Sequence, residues 1–320
     1  YYAKSLKPKD ILQVMTEKKI FFTVAVPAFL KLLKSSIEAE IAKQPKYKQL
    51  AFKTLYETAK YLPIDMRKHL FPQIHEKFGG HFWGCISGGA PLDPQVGEFF
   101  QRIGIRAFQG YGLSEASPVV AVNRGKFQDL KSVGKPLHSL ETKIDPDTGE
   151  LMLKGHSIMK GYHNRPDLTS DAITEDGWLH TGDIASIDPK TQNIYITGRI
   201  KNMIVLSGGK KVFPEEIEAV LERCPKFADV CVMGMQKTFG EKDGCEGIVA
   251  IIVPTKDFAS KFSDFKEVET EIIAEVKKLS QQLATYKRPV KIIVKEENLP
   301  RTTTNKISRK EVKKILCNMV

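Results

Sequence analysis

The sequence predicts an α/β protein in which part of a large domain is followed by a small α+β domain. Apolar runs of β-branched and aromatic residues alternate with amphipathic helical segments over residues 1–131, which favours a parallel sheet. Short strands between turn clusters over 132–200 indicate a small antiparallel β-barrel region of the large domain. Helices and strands mix again over 201–320, which is predicted to be a separate domain.

The first segment opens with strand–helix alternation. Residues 8–19 are predicted to form a short helix and residues 20–26 a buried strand. Pro27 then begins a helix with apolar residues at helical spacing, and 47–61 continue in helical fashion. This alternation is typical of parallel sheets, in which each crossover is a helix.

Glycine-rich turns follow two further predicted strands, 81–87 and 105–109. The first turn is at 88–91 and the second at 110–112, with a helix over 94–103 between them. Ligands bind beyond the carboxyl ends of the strands in open α/β sheets. The two turns therefore predict a ligand site.

The middle and last segments have shorter elements. Strands are predicted in the middle segment at 141–144, 150–154, 184–187 and 194–197. The last segment is predicted to contain a helix from Pro214, strands at 230–235, 247–253 and 290–294, and helices at 268–283 and 308–315.

The formal net charge is +11, and the basic excess lies at the two ends of the chain. Residues 1–70 hold 14 basic and 6 acidic side chains, whereas 71–200 hold 13 and 15. Such a surface suits anionic lipid, an acidic carrier protein or plain solvation. No zinc-finger spacing or aromatic–basic RNA-binding signature is present, so nucleic acid is not an expected partner.

The five cysteines are odd in number and include no CxxC pair; they are at positions 85, 224, 231, 245 and 317. This usage favours free thiols in a reducing compartment, and hence a cytoplasmic protein. The longest apolar stretch, 20–30, is interrupted by Thr23 and Pro27 and is too short for a transmembrane helix.

Four segments carry residue types suited to nucleotide chemistry. Residues 109–115 (QGYGLSE) offer flexible glycines, a tyrosine face for stacking, and hard oxygen donors for Mg²⁺. Residues 177–183 (GWLHTGD) end in a carboxylate that can bind both ribose hydroxyls. Arg199 can hold ribose or phosphate oxygens as a fork, and 300–309 (PRTTTNKISR) contain a loop lysine. Taken singly, each has an ordinary alternative: a tight turn, a turn carboxylate, a surface ion pair or a solvated lysine.

Taken in order, these segments resemble the motifs of the adenylate-forming (AMP-binding) superfamily of acyl-CoA synthetases, luciferases and peptide-synthetase adenylation domains. YGLSE resembles the YGxTE motif, GWLHTGD the ribose-binding TGD motif, and RTTTNKISR the final lysine motif. GRIKN with GGKKVFPEEIE resembles the hinge and helix signature. The resemblance covers essentially the whole chain. GYGLSEASPVVAVN and SVGKPL are similar to the long-chain fatty acyl-CoA synthetase type.

The resemblance implies a role for each matching residue. ATP or AMP would be bound by Gly88, Gly89, Ala90, Pro91, Gln109, Gly110, Tyr111, Gly112, Ser114, Asp183 and Arg199. Ser114 and Glu115 would hold Mg²⁺, Gly208 and Gly209 would line the CoA channel, and Lys201 and Asn202 would form the hinge of a mobile C-terminal domain. Lys306 would be catalytic, stabilising charge on the carboxylate and the α-phosphate.

The implied function is an ATP-dependent fatty acid–CoA ligase that forms acyl-AMP and then the acyl-CoA thioester. An apolar acid is expected because residues 21–27 lack the aspartate with which peptide-synthetase domains hold an amino group. An acyl carrier protein in place of CoA is one alternative. The basic N-terminal stretch also suggests peripheral contact with the inner face of a membrane.

Three departures from the family pattern stand out. Asn202 replaces the usual hinge aspartate and Asn305 the usual glycine before the lysine, and both are mild because asparagine tolerates unusual backbone angles. The Ser/Thr/Gly-rich phosphate loop of the family has no equivalent in residues 1–320. We therefore expect the chain to be the C-terminal part of a longer synthetase. A second alternative function is an inactive nucleotide-binding fragment.

Overall fold

The computed structural model describes residues 8–124, 129–236, 246–302 and 306–317. The helices are α1 (Pro8–Glu17), α2 (Pro27–Ala42), α3 (Lys46–Ala59), α4 (Ile64–Arg67), α5 (Pro72–Lys77), α6 (Pro94–Arg102), α7 (Pro166–Ala172), α8 (Pro214–Leu221), α9 (Lys256–Ala259), α10 (Phe265–Ser280) and α11 (Arg309–Cys317). The strands are β1 (Phe22–Ala25), β2 (Gly84–Ser87), β3 (Arg106–Gly112), β4 (Val119–Val122), β5 (Lys135–Pro136), β6 (Leu140–Ile144), β7 (Glu150–Gly155), β8 (Leu179–Ile187), β9 (Ile194–Arg199), β10 (Ile204–Val205), β11 (Lys211–Val212), β12 (Phe227–Gln236), β13 (Glu246–Pro254) and β14 (Lys291–Val294).

The first of two compact units comprises residues 1–181 and 185–196. Its larger sheet has the order β1-β2-β3-β4-β5, in which β1, β2 and β3 are parallel and β4 and β5 run antiparallel to their neighbours. Helices α2 to α5 connect β1 with β2, and α6 connects β2 with β3. The predicted strand–helix alternation thus produces the parallel part of the sheet, because a helical crossover returns the chain in the same direction.

Helices α2 and α6 contribute to the core of this sheet through their apolar faces. Helix α2 buries Leu30, Leu33 and Ile37, whose spacing places them on one side of the helix. Helix α6 begins at an N-cap, Asp93, whose side chain accepts a hydrogen bond from the amide of Gln95. Both helices belong to one hydrophobic cluster with buried residues of β2 and β3.

Strands β1 and β3 differ from the sequence-based prediction. The apolar run 20–26 predicts a buried strand, but β1 is shorter and, among the described residues, is the outermost strand of the sheet, with Val24 78% exposed. An apolar composition alone does not distinguish an edge strand from a central one. The glycines at 110–112 were expected to end β3, but the strand continues through them because they pair with β4.

Strands β6, β7, β8 and β9 form a second sheet in that order, with β6 and β7 antiparallel. The predicted antiparallel region is therefore confirmed. A carboxylate oxygen of Asp145 accepts hydrogen bonds from the amides of Asp147 and Thr148, which forms the turn between β6 and β7. Buried side chains on these strands share one cluster: Leu151, Leu153, Leu179 and Ile194.

The second compact unit comprises residues 182–184 and 197–320. Its main sheet has the order β12-β13-β14, with β12 antiparallel and β14 parallel to the central β13. Helices α8 and α10 contribute Ile217 and Ile272 to the core on one face. The other face is covered by the final segment of the chain, which contributes Leu299, Val312 and Leu316. The predicted small α+β domain is confirmed.

Cys85, Cys224 and Cys231 are buried free thiols. Burial raises the pKa of the Cys85 and Cys231 thiols to about 12, so neither forms a reactive thiolate near neutral pH. Cys245 lies outside the described residues.

Among the helices that the structure describes, none combines the length and the apolar composition that crossing a bilayer requires.

Candidate functional site

Residues 88–91 form a loop beyond the carboxyl end of β2. Gly88 N donates a 3.1 Å hydrogen bond to Ala25 O, and after the loop Leu92 N donates a 3.2 Å hydrogen bond to Gln109 Oε1. Gly89 has a φ of +82°, a conformation that favours glycine. Gly89, Ala90 and Pro91 are exposed. The buried side chain of Gln109 holds this loop against β3.

The glycines at the end of β3 allow the backbone to pack closely against other strands. A Cβ on Gly112 would lie 1.8 Å from the carbonyl oxygen of Pro118, and one on Gly110 would lie 3.1 Å from Ile86 Cδ1. The glycines at these two positions thus allow close packing within the protein, and the predicted approach of a ligand to their backbone stays a prediction. Tyr111, between them, is half-buried and packs against the cluster of the second sheet.

Glu115 is positioned by a segment that the sequence analysis did not include. Its backbone oxygen accepts a 2.8 Å hydrogen bond from Met159 N, and its Oε1 accepts one of 2.9 Å from the hydroxyl of Tyr162. Desolvation and the bond to Glu115 raise the pKa of the Tyr162 hydroxyl, so it remains a donor at neutral pH. Ser114, beside Glu115, is exposed. No motif in the sequence analysis pointed to Tyr162, because its contact with Glu115 joins residues that are distant in the sequence.

Asp183 and Arg199 form an ion pair in the second unit. Arg199 Nε donates to Asp183 Oδ1 at 2.6 Å, and Arg199 Nη2 lies 3.4 Å from Oδ2. Asp183 is 5% exposed, whereas the Arg199 side chain is 43% exposed. The sequence predicts a carboxylate after a turn, but Asp183 lies within β8, directly after Gly182 with its φ of +70°. The two side chains predicted to hold ribose therefore form one charged group.

The strand before Asp183 is fixed by two side-chain contacts in the first unit. His180 Nδ1 lies 2.8 Å from Glu150 Oε2, and Thr181 Oγ1 donates a 2.7 Å hydrogen bond to Leu151 O. Glu150 is buried. Sequence reasoning missed Glu150, because a lone acidic residue at the start of a strand carries no motif.

The predicted hinge and CoA-channel residues lie in the second unit. Asn202 Nδ2 donates a 2.7 Å hydrogen bond to Glu215 Oε1, while Lys201 is exposed. Gly208 and Gly209 lie in the turn between β10 and β11, with φ values of +85° and +76° and open space beside both. Their conformation requires glycine, and their surroundings leave the backbone accessible.

Lys306 lies in a narrow hairpin closed by a bridge between Arg301 and Ile307. Thr302 N donates a 2.7 Å hydrogen bond to Lys306 O, and Lys306 N donates one of 3.2 Å to Thr302 Oγ1. The lysine is exposed. Asn305, which departs from the family pattern, lies outside the described residues.

Comparison with protein families identifies two matching regions. The family described as AMP-binding enzyme matches residues 1–163, and the AMP-binding enzyme C-terminal domain matches residues 216–306. The chain belongs to the AMP-binding enzyme family. The superfamily that the motifs indicated is therefore confirmed.

Curated relatives of this AMP-binding enzyme include ligases for several acids. It is 35% identical over 249 residues to 4-coumarate–CoA ligase 1 of Arabidopsis thaliana, covering 72% of this chain and 41% of the relative. A long-chain-fatty-acid–CoA ligase of Mycobacterium bovis is 37% identical over 183 residues, 57% of this chain and 29% of the relative. A chloroplastic long-chain-fatty-acid–[acyl-carrier-protein] ligase of Arabidopsis thaliana is 32% identical over 255 residues, 72% of this chain and 34% of the relative. The chain spans less than half the length of these relatives.

Solved structures with the same fold include O-succinylbenzoate–CoA synthetase of Bacillus subtilis. Its complex with ATP and magnesium superposes with a TM-score of 0.68 at 25% identity, covering 97% of this chain and 54% of the other. Its complex with the acyl-adenylate intermediate gives a TM-score of 0.67 at 26% identity, with coverage of 97% and 54%. The adenylate-forming fold is thus confirmed.

Proposed function

We propose that this AMP-binding enzyme is an ATP-dependent carboxylate–CoA ligase of the fatty-acid type. The observation that carries the proposal is that the AMP-binding enzyme family and its C-terminal domain both match this chain, in that order. Relatives of the chain are named as CoA ligases. The choice of a fatty acid as the substrate has support from the long-chain-fatty-acid–CoA ligases among the relatives, which also include coumarate and succinylbenzoate ligases.

The reaction has two half-reactions. A carboxylate oxygen of the acid attacks the α-phosphorus of ATP, the bond from that phosphorus to the bridging oxygen breaks, and pyrophosphate leaves. The product is acyl-AMP, a mixed anhydride. The CoA thiol then loses its proton to solvent, its sulfur attacks the acyl carbon, and AMP leaves with the electrons of the broken C–O bond.

Adenine and ribose would each be bound by a separate group of residues. In this proposal, the exposed loop at 88–91 and the ring of Tyr111 bind adenine. Asp183 accepts hydrogen bonds from the ribose hydroxyls, and the ion pair with Arg199 fixes the position of that carboxylate. The buried side chain of Gln109, also in the proposed nucleotide site, supports the loop through the hydrogen bond from Leu92 N.

Ser114 and Glu115 fit a magnesium ion that arrives with the nucleotide. Among the described residues no group of three or more His, Cys, Asp or Glu side chains could hold a metal by itself. Mg²⁺ in nucleotide sites characteristically uses one or two protein oxygens together with phosphate oxygens and water. A carboxylate held by Tyr162, beside a hydroxyl, supplies that limited donor set.

Lys306 would stabilise the charge that develops during adenylation. An ammonium aimed at the carboxylate and α-phosphate oxygens contributes by placed charge, and loss of one such donor costs on the order of 10²–10³ in rate. We propose that the second unit reorients about Lys201 and Asn202 after adenylation, so that Gly208 and Gly209 line the CoA channel for the thioester step.

The proposed acid is apolar. Strand β1 carries Phe22 and Val24 and has no acidic side chain that could hold an amino group. The similarity to long-chain-fatty-acid–CoA ligases supports the same choice. Because the proposed substrate is apolar, the proposal includes peripheral membrane contact through the basic residues of 1–70. Binding to anionic vesicles that falls with added salt would support that contact.

The experiment that tests the activity is ATP–pyrophosphate exchange with a panel of acids, followed by thioester formation with CoA. We expect exchange with long-chain fatty acids to exceed that with coumarate, succinylbenzoate or amino acids by at least about tenfold, since each buried methylene contributes on the order of 0.8 kcal/mol. Exchange with coumarate, succinylbenzoate or an amino acid that equals or exceeds exchange with long-chain fatty acids would contradict the proposal.

A carrier-protein acceptor is a second candidate function. The observation that favours it is the 32% identity over 255 residues to a long-chain-fatty-acid–[acyl-carrier-protein] ligase, together with the basic excess of 1–70. Acyl carrier protein is acidic, so its acylation should be strongly sensitive to salt, whereas transfer to free CoA should not. Comparing the two acceptors at two ionic strengths separates these functions.

A non-catalytic nucleotide-binding fragment is the third candidate. The ground for this candidate is the expectation that residues 1–320 contain no match to the family's phosphate loop. On this proposal the 320-residue chain binds AMP or acyl-AMP weakly and shows little pyrophosphate exchange. Robust exchange by the 320-residue chain would exclude it.

A further inference from the structure

The segment that carries Lys306 is attached at both ends to strand β12 by two carboxylates, those of Asp229 and Glu218. Hydrogen bonds from Thr302 N to Lys306 O and from Lys306 N to Thr302 Oγ1 join the two described sides of the hairpin. They do not fix its place on the second unit, and Lys306 itself is exposed. The place of the ammonium is therefore set by the contacts at the two ends of the segment.

Asp229, near the start of β12, holds the end that enters the hairpin. Its side chain is only 4% exposed. Oδ2 accepts a 3.0 Å hydrogen bond from Leu299 N, and Oδ1 accepts a hydrogen bond from Nη2 of Arg301. One buried carboxylate thus binds the backbone and a side chain just before the hairpin, and charge-assisted bonds of this kind are strong and directional.

Glu218, on α8, holds the end that leaves the hairpin. Its Oε1 accepts a 2.7 Å hydrogen bond from Val232 N of β12, and its Oε2 accepts one of 2.5 Å from Arg309 Nη2. Arg309 Nε also donates to Val232 O at 3.4 Å. Because Arg309 follows Lys306 by three residues and begins α11, the exit of the segment is bound to the same strand as its entry.

Glu215 extends the exit contact to the proposed hinge. Its Oε1 lies 3.6 Å from Arg309 Nη2 and accepts the hydrogen bond from Asn202. Its Oε2 is buried with no hydrogen-bond partner among the described residues. An aspartate at position 202 would place a third carboxylate beside Glu215 and Glu218, so the asparagine amide suits this cluster.

We propose that Asp229 and Glu218 are positioning residues for Lys306, one at each end of its hairpin. The proposal rests on the catalytic role proposed for Lys306. Each carboxylate acts only through the lysine, because its contacts are to the hairpin ends and β12. A displacement of about 1 Å at a reacting group can cost on the order of 10²-fold in rate, so loosening either end should impair adenylation.

The test compares the single variants Asp229→Asn, Glu218→Gln and Lys306→Ala in the complete protein. It also includes two double variants, in which Asp229→Asn or Glu218→Gln is combined with Lys306→Ala. Pyrophosphate exchange reports adenylation, and consumption of preformed acyl-AMP by CoA reports the second half-reaction. Glu275→Gln is the matched control, since Glu275 forms a 2.6 Å ion pair with Lys226 in the same unit, away from the hairpin. Thermal unfolding checks that each variant is folded.

We expect Asp229→Asn and Glu218→Gln each to slow adenylation by about 10- to 100-fold and to leave the second half-reaction within about threefold. When either change is combined with Lys306→Ala, the rate of adenylation should fall no further than with Lys306→Ala alone, because the effects of residues that act through one group are not additive. If the losses multiply instead, the carboxylates act independently of the lysine and the proposal is wrong. Glu275→Gln should behave as the parent.

Failure of the proposed function gives a different pattern. If Lys306→Ala leaves adenylation unchanged, the catalytic role of the lysine falls, and the positioning roles fall with it. If Lys306→Ala cripples adenylation while both carboxylate variants match the parent, only the positioning proposal is overturned. Should Asp229→Asn fail to fold, Arg301→Gln loosens the same end from its more exposed side and carries the same expectation.

Discussion

Glu218 should make the stability of the second unit depend on pH in an unusual direction. Burial raises the pKa of its carboxyl from 4.5 to about 7, against the opposing effects of Arg309 and the Val232 amide, while Glu215 and Glu222 raise it further. The folded protein therefore holds this proton more tightly than the unfolded chain does. The stabilisation is complete below pH 4.5 and is lost as the pH rises through about 7.

The size of this effect follows from the two pKa values. At roughly 1.36 kcal/mol per pKa unit, the difference between 4.5 and about 7 corresponds to about 3 kcal/mol. The side chain of Glu218 is 13% exposed, so solvent screening reduces this little. Glu218→Gln removes the titrating group and hence this decline in the free energy of unfolding.

Urea unfolding of the parent and the Glu218→Gln variant between pH 4.5 and 7.5 measures the difference directly. Titrating groups that do not interact with Glu218 are shared and cancel when the two curves are subtracted. Glu275→Gln is again the control, because the hydrogen bond from Lys226 lowers the pKa of Glu275, so its contribution is lost only as the pH falls. If the free energy of unfolding changes with pH equally in the parent and in Glu218→Gln across this range, Glu218 does not have the raised pKa.

Three further predictions concern the first unit and the nucleotide. Tyr162→Phe removes the bond to Glu115 and should raise the Mg²⁺ concentration for half-maximal adenylation by about tenfold, the lower end of the 10- to 100-fold losses that are typical when support for a metal ligand is removed; an unchanged value would contradict the role. Gly112→Ala should destabilise the protein by about 2–3 kcal/mol in urea unfolding because of the clash with Pro118, whereas Gly88→Ala, whose Cβ would meet only Gly110 O at 3.7 Å, should cost under about 1 kcal/mol; equal costs would contradict the packing argument. Asp183→Asn should weaken AMP binding in calorimetry by about tenfold or more, and unchanged affinity would remove the ribose assignment.

The fold was largely predictable because its pattern is local. Pro27 with the apolar spacing of α2, and Pro214 with the acidic first turn of α8, mark helices in any environment. The exposure of β1 was not predictable, since an edge strand and a central strand can have the same composition. The continuation of β3 through Gly110 depends on pairing with β4, which no local pattern records.

The candidate site was predictable where motifs carry it and not elsewhere. Asp183 and Arg199 stand in recognisable motifs, and the structure brings them together as an ion pair. Tyr162 lies 47 residues from Glu115, and its contact follows only from the fold. Asp229 lies 72 residues from Arg301, and a single aspartate at a strand start has no sequence signature. Long-range positioning contacts of this kind require coordinates.

The most direct test of this account measures the two half-reactions separately for Lys306→Ala in the complete protein. We predict that pyrophosphate exchange falls by about 10²–10³-fold, because the placed charge is lost, while thioester formation from preformed acyl-AMP stays within about threefold of the parent. Equal loss in both half-reactions, or full exchange without the lysine, would contradict the central claim.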